Sequence, residues 1–154
     1  MNYVFPEQIR KKVYVGCALS HAPQEFKDKV EALKKRLNGF CEVLEFLGTT
    51  AGTPRDVYNH DINDCVKESD LIVAICDFPS TGLGYEIATQ LEDRGMPVLA
   101  VAHKNSKVTR LIQDIGKPHY EFLRYGKFED IYNMVKERVN NPDFWPPERY
   151  LGRY

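Results

Sequence analysis

The residue of this sequence best placed to do chemistry is Glu86. It ends a stretch from Asp70 that reads DLIVAICDFPSTGLGYE. Residues 71–76 are a continuous apolar run rich in β-branched side chains, which predicts a strand buried on both faces. The residues that follow break regular structure, and a helix is predicted to open at Tyr85 and Glu86. The stretch therefore predicts a carboxylate at the mouth of a strand–loop–helix unit.

A carboxylate in that place suits nucleophilic catalysis. Open α/β sheets bind ligands at the carboxyl ends of their strands, where helices begin. The positive end of a helix dipole also favours the ionised carboxylate that a nucleophile needs. The alternative is that Glu86 only occupies the first turn of a helix, although a capping box would need Ser or Thr where the chain has Leu83. Local sequence leaves both roles open.

Length and charge indicate one domain without a polyanionic partner. The chain has 154 residues and a net charge of −1, with 21 Lys and Arg against 22 Asp and Glu. That length suits a single domain with a sizeable core. The balanced charge gives no reason to expect nucleic acid or an acidic membrane as a partner. Because we find no membrane-spanning run and no signal pattern, we expect a cytoplasmic protein.

The cysteines and histidines give no sign of a metal site. The four cysteines are widely spaced and include no Cys-x-x-Cys pair, which predicts reduced and mostly buried thiols. They are Cys17, Cys41, Cys65 and Cys76. The four histidines are scattered and none has the His-Glu-x-x-His spacing of a metal-binding helix. We therefore predict neither a metal nor another cofactor.

Strand-like and helix-like segments alternate along the chain. Strands are predicted at residues 12–16, 41–47, 71–76, 97–103 and 120–125. Helices are predicted at about 23–37, from Asp56 or Asn59 to 69, at 84–94, 107–114 and 128–139, with Glu31 and Lys35 able to pair in the first. Residues 48–55 are expected to form a flexible loop. This order predicts a single α/β domain with a doubly wound, mainly parallel five-stranded sheet of flavodoxin or Rossmann type.

The last segment, residues 140–154, is unusually aromatic. Phe144, Trp145, Tyr150 and Tyr154 surround two prolines, so the segment is too proline-rich for a helix and too apolar for a solvated terminus. We expect it to pack on its own domain. The alternative is that it closes a site or covers a neighbouring subunit.

Three elements of the chain together resemble the nucleoside 2-deoxyribosyltransferase family, which includes the 2'-deoxynucleoside 5'-phosphate N-hydrolases. They are VYVG at residues 13–16, Asp61 before the third strand, and PSTGLGYE at residues 79–86. The resemblance spans residues 12–115. Its most specific part is the Ser-x-Gly-x-Gly-x-Glu pattern that follows a buried strand.

The resemblance implies cleavage of an N-glycosidic bond by double displacement. Glu86 matches the family's nucleophile, which attacks the anomeric carbon and forms a glycosyl ester. Tyr14 matches the tyrosine that orients this carboxylate. Asp61 matches the acid that serves the leaving base, with Asp56 and Asp64 as further candidates. The alternative for Asp61 is a helix N-cap.

The residue six positions before Glu86 bears on the substrate. The transferases resemble one another in carrying a base-binding aspartate there, whereas Ser80 resembles the phosphate-binding serine of the monophosphate hydrolases. A hydroxyl followed by glycine amides at a helix N-terminus suits an anion, although Ser80 could simply be a cap. The loop at residues 17–23 lacks Arg and Lys, so His21 is a candidate donor, with an ordinary loop histidine as the alternative. Arg110 or Thr109 falls near where a neighbouring subunit contributes a phosphate contact in the hydrolases that the chain resembles. The expected substrate-binding residues are Gly16, Ser80, Gly82, Gly84, His21 and Arg110.

Two other functions stay open. A transferase would exchange bases on free deoxynucleosides, and Tyr154 after an aromatic tail resembles the chain end that builds a neighbour's base pocket in that group. A nucleotide-sensing module would bind without reacting. The resemblance also implies a homodimer or a larger homo-oligomer acting on a small nucleoside or nucleotide.

Overall fold

The computed structural model describes residues 10–48 and 50–147. In this part of the chain, five parallel strands form one sheet in the order β2-β1-β3-β4-β5. The strands are β1 (Lys12–Cys17), β2 (Glu42–Leu44), β3 (Leu71–Ile75), β4 (Val98–His103) and β5 (Tyr120–Tyr125). The predicted doubly wound α/β fold is confirmed, and the order is that of the flavodoxin-like sheets.

Helices cover both faces of the sheet. They are α1 (Gln24–Leu37), α2 (Pro54–Tyr58), α3 (Thr81–Ala88), α4 (Arg110–Gln113) and α5 (Glu129–Val139). A π-helical segment (Asn59–Cys65) and a 3₁₀ turn (Val66–Glu68) continue α2, and a second π-helical segment (Thr89–Asp93) continues α3. A short 3₁₀ turn (Pro142–Phe144) follows α5.

The strand β3 lies at the centre of the core. All five of its residues are buried, as its uninterrupted apolar sequence predicts. Val73 packs in the cluster that includes the inner faces of α1 and α5, whereas Ile72 and Ala74 pack in the cluster that includes α3. Because alternate residues of a strand point to opposite faces, β3 joins the two halves of the core.

The crevice that could hold a ligand lies between β1 and β3. Gly16 of β1 is paired with Ala74 of β3, and the chain leaves these neighbouring strands toward opposite sides of the sheet. In a doubly wound sheet this reversal separates the loops that follow the two strands and opens a binding crevice at their carboxyl ends. The loops after β1 and β3 are therefore the elements that position the site.

Several predicted boundaries were wrong. The strand predicted at residues 41–47 is only Glu42–Leu44, because residues 45–47 turn to bond with the π-helical segment. The predicted loop at 48–55 contains a helix start, since Thr53 and Asp56 form a capping box around the first turn of α2. The helix predicted at 107–114 is only Arg110–Gln113.

The described part of the aromatic tail packs on its own domain. Trp145 Nε1 donates to Val139 O over 3.3 Å, and the Phe144 ring lies 5.2 Å from the Trp145 ring, centroid to centroid. Both side chains contact the core cluster of α1 and α5. Tyr150 and Tyr154 lie outside the described residues. None of the described helices has the length and apolar character needed to cross a membrane.

Candidate active site

A tyrosine and a glutamate from different elements meet at the crevice. Tyr14 of β1 is 1% exposed, and its hydroxyl donates to Glu86 Oε1 on α3 over 2.9 Å. The carboxylate is half-buried beside it. Because β1 is held between β2 and β3, the phenol fixes one oxygen of Glu86. The structure thus brings together Glu86, which matches the nucleophile of the family, and Tyr14, which matches its orienting tyrosine.

Glu86 was predicted to lie in the first turn of its helix, but it lies in the second turn. The helix α3 begins at Thr81, with Ser80 as its N-cap, so Glu86 is the sixth residue and lies in the second turn. The dipole effect of a helix fades beyond its first turn. Burial instead raises the pKa of Glu86 to about 7, opposed by the Tyr14 hydrogen bond and reinforced by the charge of Asp61. The expectation of a carboxylate favoured in its ionised form was wrong.

Gly16 makes the close approach of α3 to β1 possible. A Cβ atom at this position would lie 2.7 Å from Leu83 Cδ1 and 2.9 Å from Glu86 Oε2. Real side chains do not tolerate such distances, so any larger residue would displace the carboxylate. Glu86 thus has Oε1 bonded to Tyr14 and Oε2 beside the bare backbone of Gly16.

Asp61 lies in the π-helical segment and faces the same crevice. Its Oδ1 accepts a hydrogen bond from the Leu47 N–H over 2.9 Å, and it caps no helix. Asp56 is instead engaged in the capping box with Thr53, and Asp64 is an exposed residue 3.8 Å from His60. Of the three candidate aspartates, only Asp61 lines the cleft with Glu86.

An open cleft of about 630 Å³ surrounds these groups. We call it the Glu86 cleft. It is lined by residues 17–21 at the end of β1 and in the loop after it, by Gly48, Val57 and Asp61, by residues 79–83, and by Glu86. Its size is that of a small-molecule site. The predicted residues His21, Ser80 and Gly82 are part of its lining.

Ser80 and the amides after it face the Glu86 cleft. The Ser80 hydroxyl oxygen accepts from Leu83 N–H over 3.2 Å, so Ser80 is a helix N-cap, as the alternative reading held. Its own O–H hydrogen is left to donate. The first N–H groups of a helix have no partner within the helix, so this end of α3 offers donors to an anion.

Two predicted binding residues lie outside the Glu86 cleft. Gly84 lines a neighbouring apolar cleft of about 340 Å³ that also includes Lys107 and Thr109. Arg110 is exposed at the start of α4 and lines neither of these two clefts in the described chain. The single chain therefore does not bring Gly84 into the Glu86 cleft, whereas the role of Arg110, which was expected through a neighbouring subunit, stays a prediction.

A third cleft, of about 680 Å³, lies at the ends of β3, β4 and β5 and contains Asp77. This carboxylate accepts from His103 N–H, the Ser106 hydroxyl and the Tyr125 hydroxyl, at 2.8, 2.7 and 2.9 Å. A carboxylate with three donors holds the loops together and has little capacity left for a substrate. The Glu86 cleft is therefore the better candidate for chemistry.

One residue of the Glu86 cleft that the sequence did not single out is Cys17. Burial raises the pKa of its thiol to about 11, although the charge of Lys34 acts in the opposite direction. Cys17 is therefore a neutral thiol near pH 7 and a poor nucleophile. The four cysteines are free, as predicted.

Known structures share this fold. The CMP N-glycosidase BcmB of Clostridium botulinum matches with a TM-score of 0.65 and 21% identity over 82% of this chain and 98% of its own. A part of the Francisella novicida lysine decarboxylase LdcF, 19% of that chain, matches with a TM-score of 0.50 and 16% identity. Because these names describe different reactions, the fold alone does not assign one.

Relatives found by sequence point to one class of reaction. Two proteins named "Putative 2'-deoxynucleoside 5'-phosphate N-hydrolase 1" match this chain. The one from Syntrophotalea carbinolica is 33% identical over 74 residues, and the one from Thermofilum pendens is 35% identical over 80. The matches cover 48% and 51% of this chain and 51% and 54% of the relatives, so the chain spans about half the length of each. No family model matches. The predicted resemblance to the nucleoside 2-deoxyribosyltransferase family is confirmed through its N-hydrolase members.

Proposed function

We propose that this protein hydrolyses the N-glycosidic bond of a deoxynucleoside 5'-monophosphate and releases the free base and the sugar phosphate. The observation that carries the proposal is the Tyr14–Glu86 hydrogen bond of 2.9 Å at the edge of a cleft that also contains Asp61. The names of the relatives support a deoxynucleoside 5'-phosphate as substrate, and the name of the C. botulinum enzyme supports the broader class of nucleoside monophosphates.

In the first step, Glu86 is the nucleophile. Its Oε2 forms a bond to the anomeric carbon while the bond from that carbon to the base nitrogen breaks and its electron pair leaves with the base. Tyr14 keeps Oε1 in place, so the carboxylate attacks from one orientation. The product is a glycosyl ester, and two easier steps replace one difficult step.

Asp61 assists the leaving base. In its protonated form it gives its proton to the departing nitrogen, because a protonated base leaves far more easily than an anion. The resulting Asp61 carboxylate then takes a proton from water while the water oxygen attacks the anomeric carbon. This second step frees the Glu86 carboxylate and restores the proton of Asp61, so all atoms and charges balance.

The end of α3 accounts for the 5'-phosphate. Ser80 and the first amides of the helix present hydrogen-bond donors to the Glu86 cleft, and His21 lies on its opposite loop. An anionic residue at position 80 would repel a phosphate. Because Ser80 is neutral, the site favours a monophosphate over a free nucleoside. Free nucleosides are the substrates of the transferases.

Base release by the purified protein tests the proposal. The four deoxynucleoside monophosphates and the matching nucleosides are incubated separately, and free base is measured by chromatography with and without a second, acceptor base. Free base and sugar phosphate from the monophosphates support hydrolysis. Incorporation of the acceptor base indicates a transferase, and binding without product indicates a sensing module.

The double displacement has its own test. Rapid quenching followed by mass spectrometry of the peptide that contains Glu86 is expected to show an added deoxyribose phosphate during turnover. Methanol as an acceptor is expected to give a glycoside of retained configuration. An inverted product would exclude the glycosyl ester while leaving the hydrolase assignment intact.

A further inference from the structure

A buried lysine of α1 is paired with two carboxylates. Lys34 of α1 has a side chain that is 1% exposed, and its Nζ lies 3.0 Å from Glu31 Oε1 and 2.8 Å from Glu45 Oε2. The ring centroid of Phe46 is 3.7 Å from the same Nζ. The predicted pairing of Glu31 with Lys35 was wrong, because Lys34 is the lysine that turns inward. Lysine is rarely buried unless it is paired.

Two partners of Lys34, Glu45 and Phe46, belong to the segment between β2 and α2. Residues 45–47 of this segment, which we call the connecting strip, run along the π-helical segment that carries Asp61. Glu45 O accepts from His60 Nε2 over 2.6 Å and from Cys65 Sγ over 3.3 Å. The Leu47 N–H donates to Asp61 Oδ1 over 2.9 Å. Lys34 thus holds the connecting strip, and the connecting strip holds the Asp61 carboxylate.

We propose that Lys34 is a positioning residue for Asp61, acting through the connecting strip. This inference rests on the proposed function, in which Asp61 gives a proton to the leaving base. The Leu47 N–H donates to Oδ1, which leaves Oδ2 as the oxygen better placed to give a proton to the leaving base. A strip held in place by Lys34 therefore determines which oxygen of Asp61 serves the substrate.

The two carboxylate partners of Lys34 provide a matched pair of variants. Glu45→Gln removes the ion pair to the connecting strip, whereas Glu31→Gln removes the ion pair within α1. Each variant leaves Lys34 one carboxylate, so both are expected to fold. Glu45→Gln is expected to lower kcat about tenfold with a smaller change in KM, since small displacements of a reacting group are costly. Glu31→Gln is expected to stay within about twofold of the wild type.

A second substrate separates positioning from general damage. A 4-nitrophenyl glycoside of deoxyribose 5-phosphate has a leaving group that departs without a proton. With this substrate the Glu45→Gln deficit is expected to disappear from kcat/KM, which reports the first step, whereas the deficit of Glu86→Gln is expected to persist. Lys34→Met, which fills the buried space with an apolar chain, is expected to behave as Glu45→Gln does. Equal deficits with both substrates, or equal effects of Glu31→Gln and Glu45→Gln, would overturn the inference.

A measurement without substrate keeps the inference apart from the proposed function. Hydrogen exchange of the Leu47 amide is expected to be at least about tenfold faster in Glu45→Gln and unchanged in Glu31→Gln, because loosening the strip exposes the Leu47 N–H. If the wild type releases no base, the proposed function fails while this result still supports the link from Lys34 to Asp61. Unchanged Leu47 exchange in both Glu45→Gln and Lys34→Met would refute that link.

Discussion

Replacing Glu86 by Gln is expected to make the protein more stable as well as inactive. The pKa of Glu86 is about 7 in the folded chain, against an ordinary value of 4.5. Folding therefore disfavours the ionised carboxylate. The cost is absent below the unfolded pKa, grows as the pH rises from the unfolded to the folded pKa, and is complete above the folded one. A difference of this size corresponds to about 2 to 3 kcal/mol at high pH for a half-buried group. Gln is neutral at every pH and keeps an oxygen for the Tyr14 hydroxyl.

Urea denaturation measures the effect. The chain has a single tryptophan, Trp145, and it packs on the core, so its fluorescence reports unfolding. The free energy of unfolding of Glu86→Gln is expected to exceed that of the wild type by under about 1 kcal/mol at pH 5 and by about 2 to 3 kcal/mol at pH 8.5. Turnover is expected to fall by at least roughly 10³-fold, because the nucleophile is gone.

The control is Glu42→Gln, which removes an equal charge from an exposed position on β2. It is expected to change stability by less than about 0.5 kcal/mol across the same pH range. A Glu86→Gln protein that is no more stable than the wild type at pH 8.5 would refute the argument that burial raises this pKa. A variant that keeps its turnover would refute the role of nucleophile.

Three further variants test the groups around Glu86. Tyr14→Phe removes the hydrogen bond that lowers the pKa of Glu86, so this pKa is expected to rise. The rising limb of the pH profile of kcat/KM is then expected to move by about 1 pH unit or more to alkaline pH. A limb that does not move would contradict this. In Gly16→Ala, the new Cβ displaces the Glu86 carboxylate, so turnover is expected to fall about 100-fold. The control is Gly126→Ala, because a Cβ at that position makes only an ordinary contact of 3.8 Å. Both Ser80→Asp and Ser80→Asn can cap α3, but only Asp is expected to lower kcat/KM for monophosphates at least about tenfold more than for nucleosides. Equal losses for the two substrates in Ser80→Asp would contradict a phosphate contact.

The sequence predicted the features that depend on neighbours along the chain. An apolar run is buried wherever the chain folds, so β3 and the α/β alternation were predictable from residue types alone. The order of elements predicted the doubly wound sheet, and the loop before Glu86 followed from its glycines and proline. These signals are local, and the right-handedness of parallel connections limits the arrangements that such strands and helices can adopt.

Boundaries that depend on caps were harder to place. Ser80 caps α3 by accepting from Leu83 N–H, and Thr53 forms a capping box around the first turn of α2. Both helices therefore start earlier than their apolar patterns indicate. Conversely, the strand β2 ends early because the backbone of residues 45–47 has partners on the π-helical segment rather than on β1.

Only the tertiary structure decided the chemistry of the Glu86 cleft. Tyr14 and Glu86 are 72 positions apart, and their contact exists because β1 and α3 pack around Gly16. The pKa of Glu86 depends on burial by that packing, which overrides the local dipole argument. The inward turn of Lys34 likewise follows from where the connecting strip lies. The sequence by itself determined which groups could react and on which elements they lie, whereas their protonation and orientation depend on atoms that distant parts of the chain bring within a few ångströms.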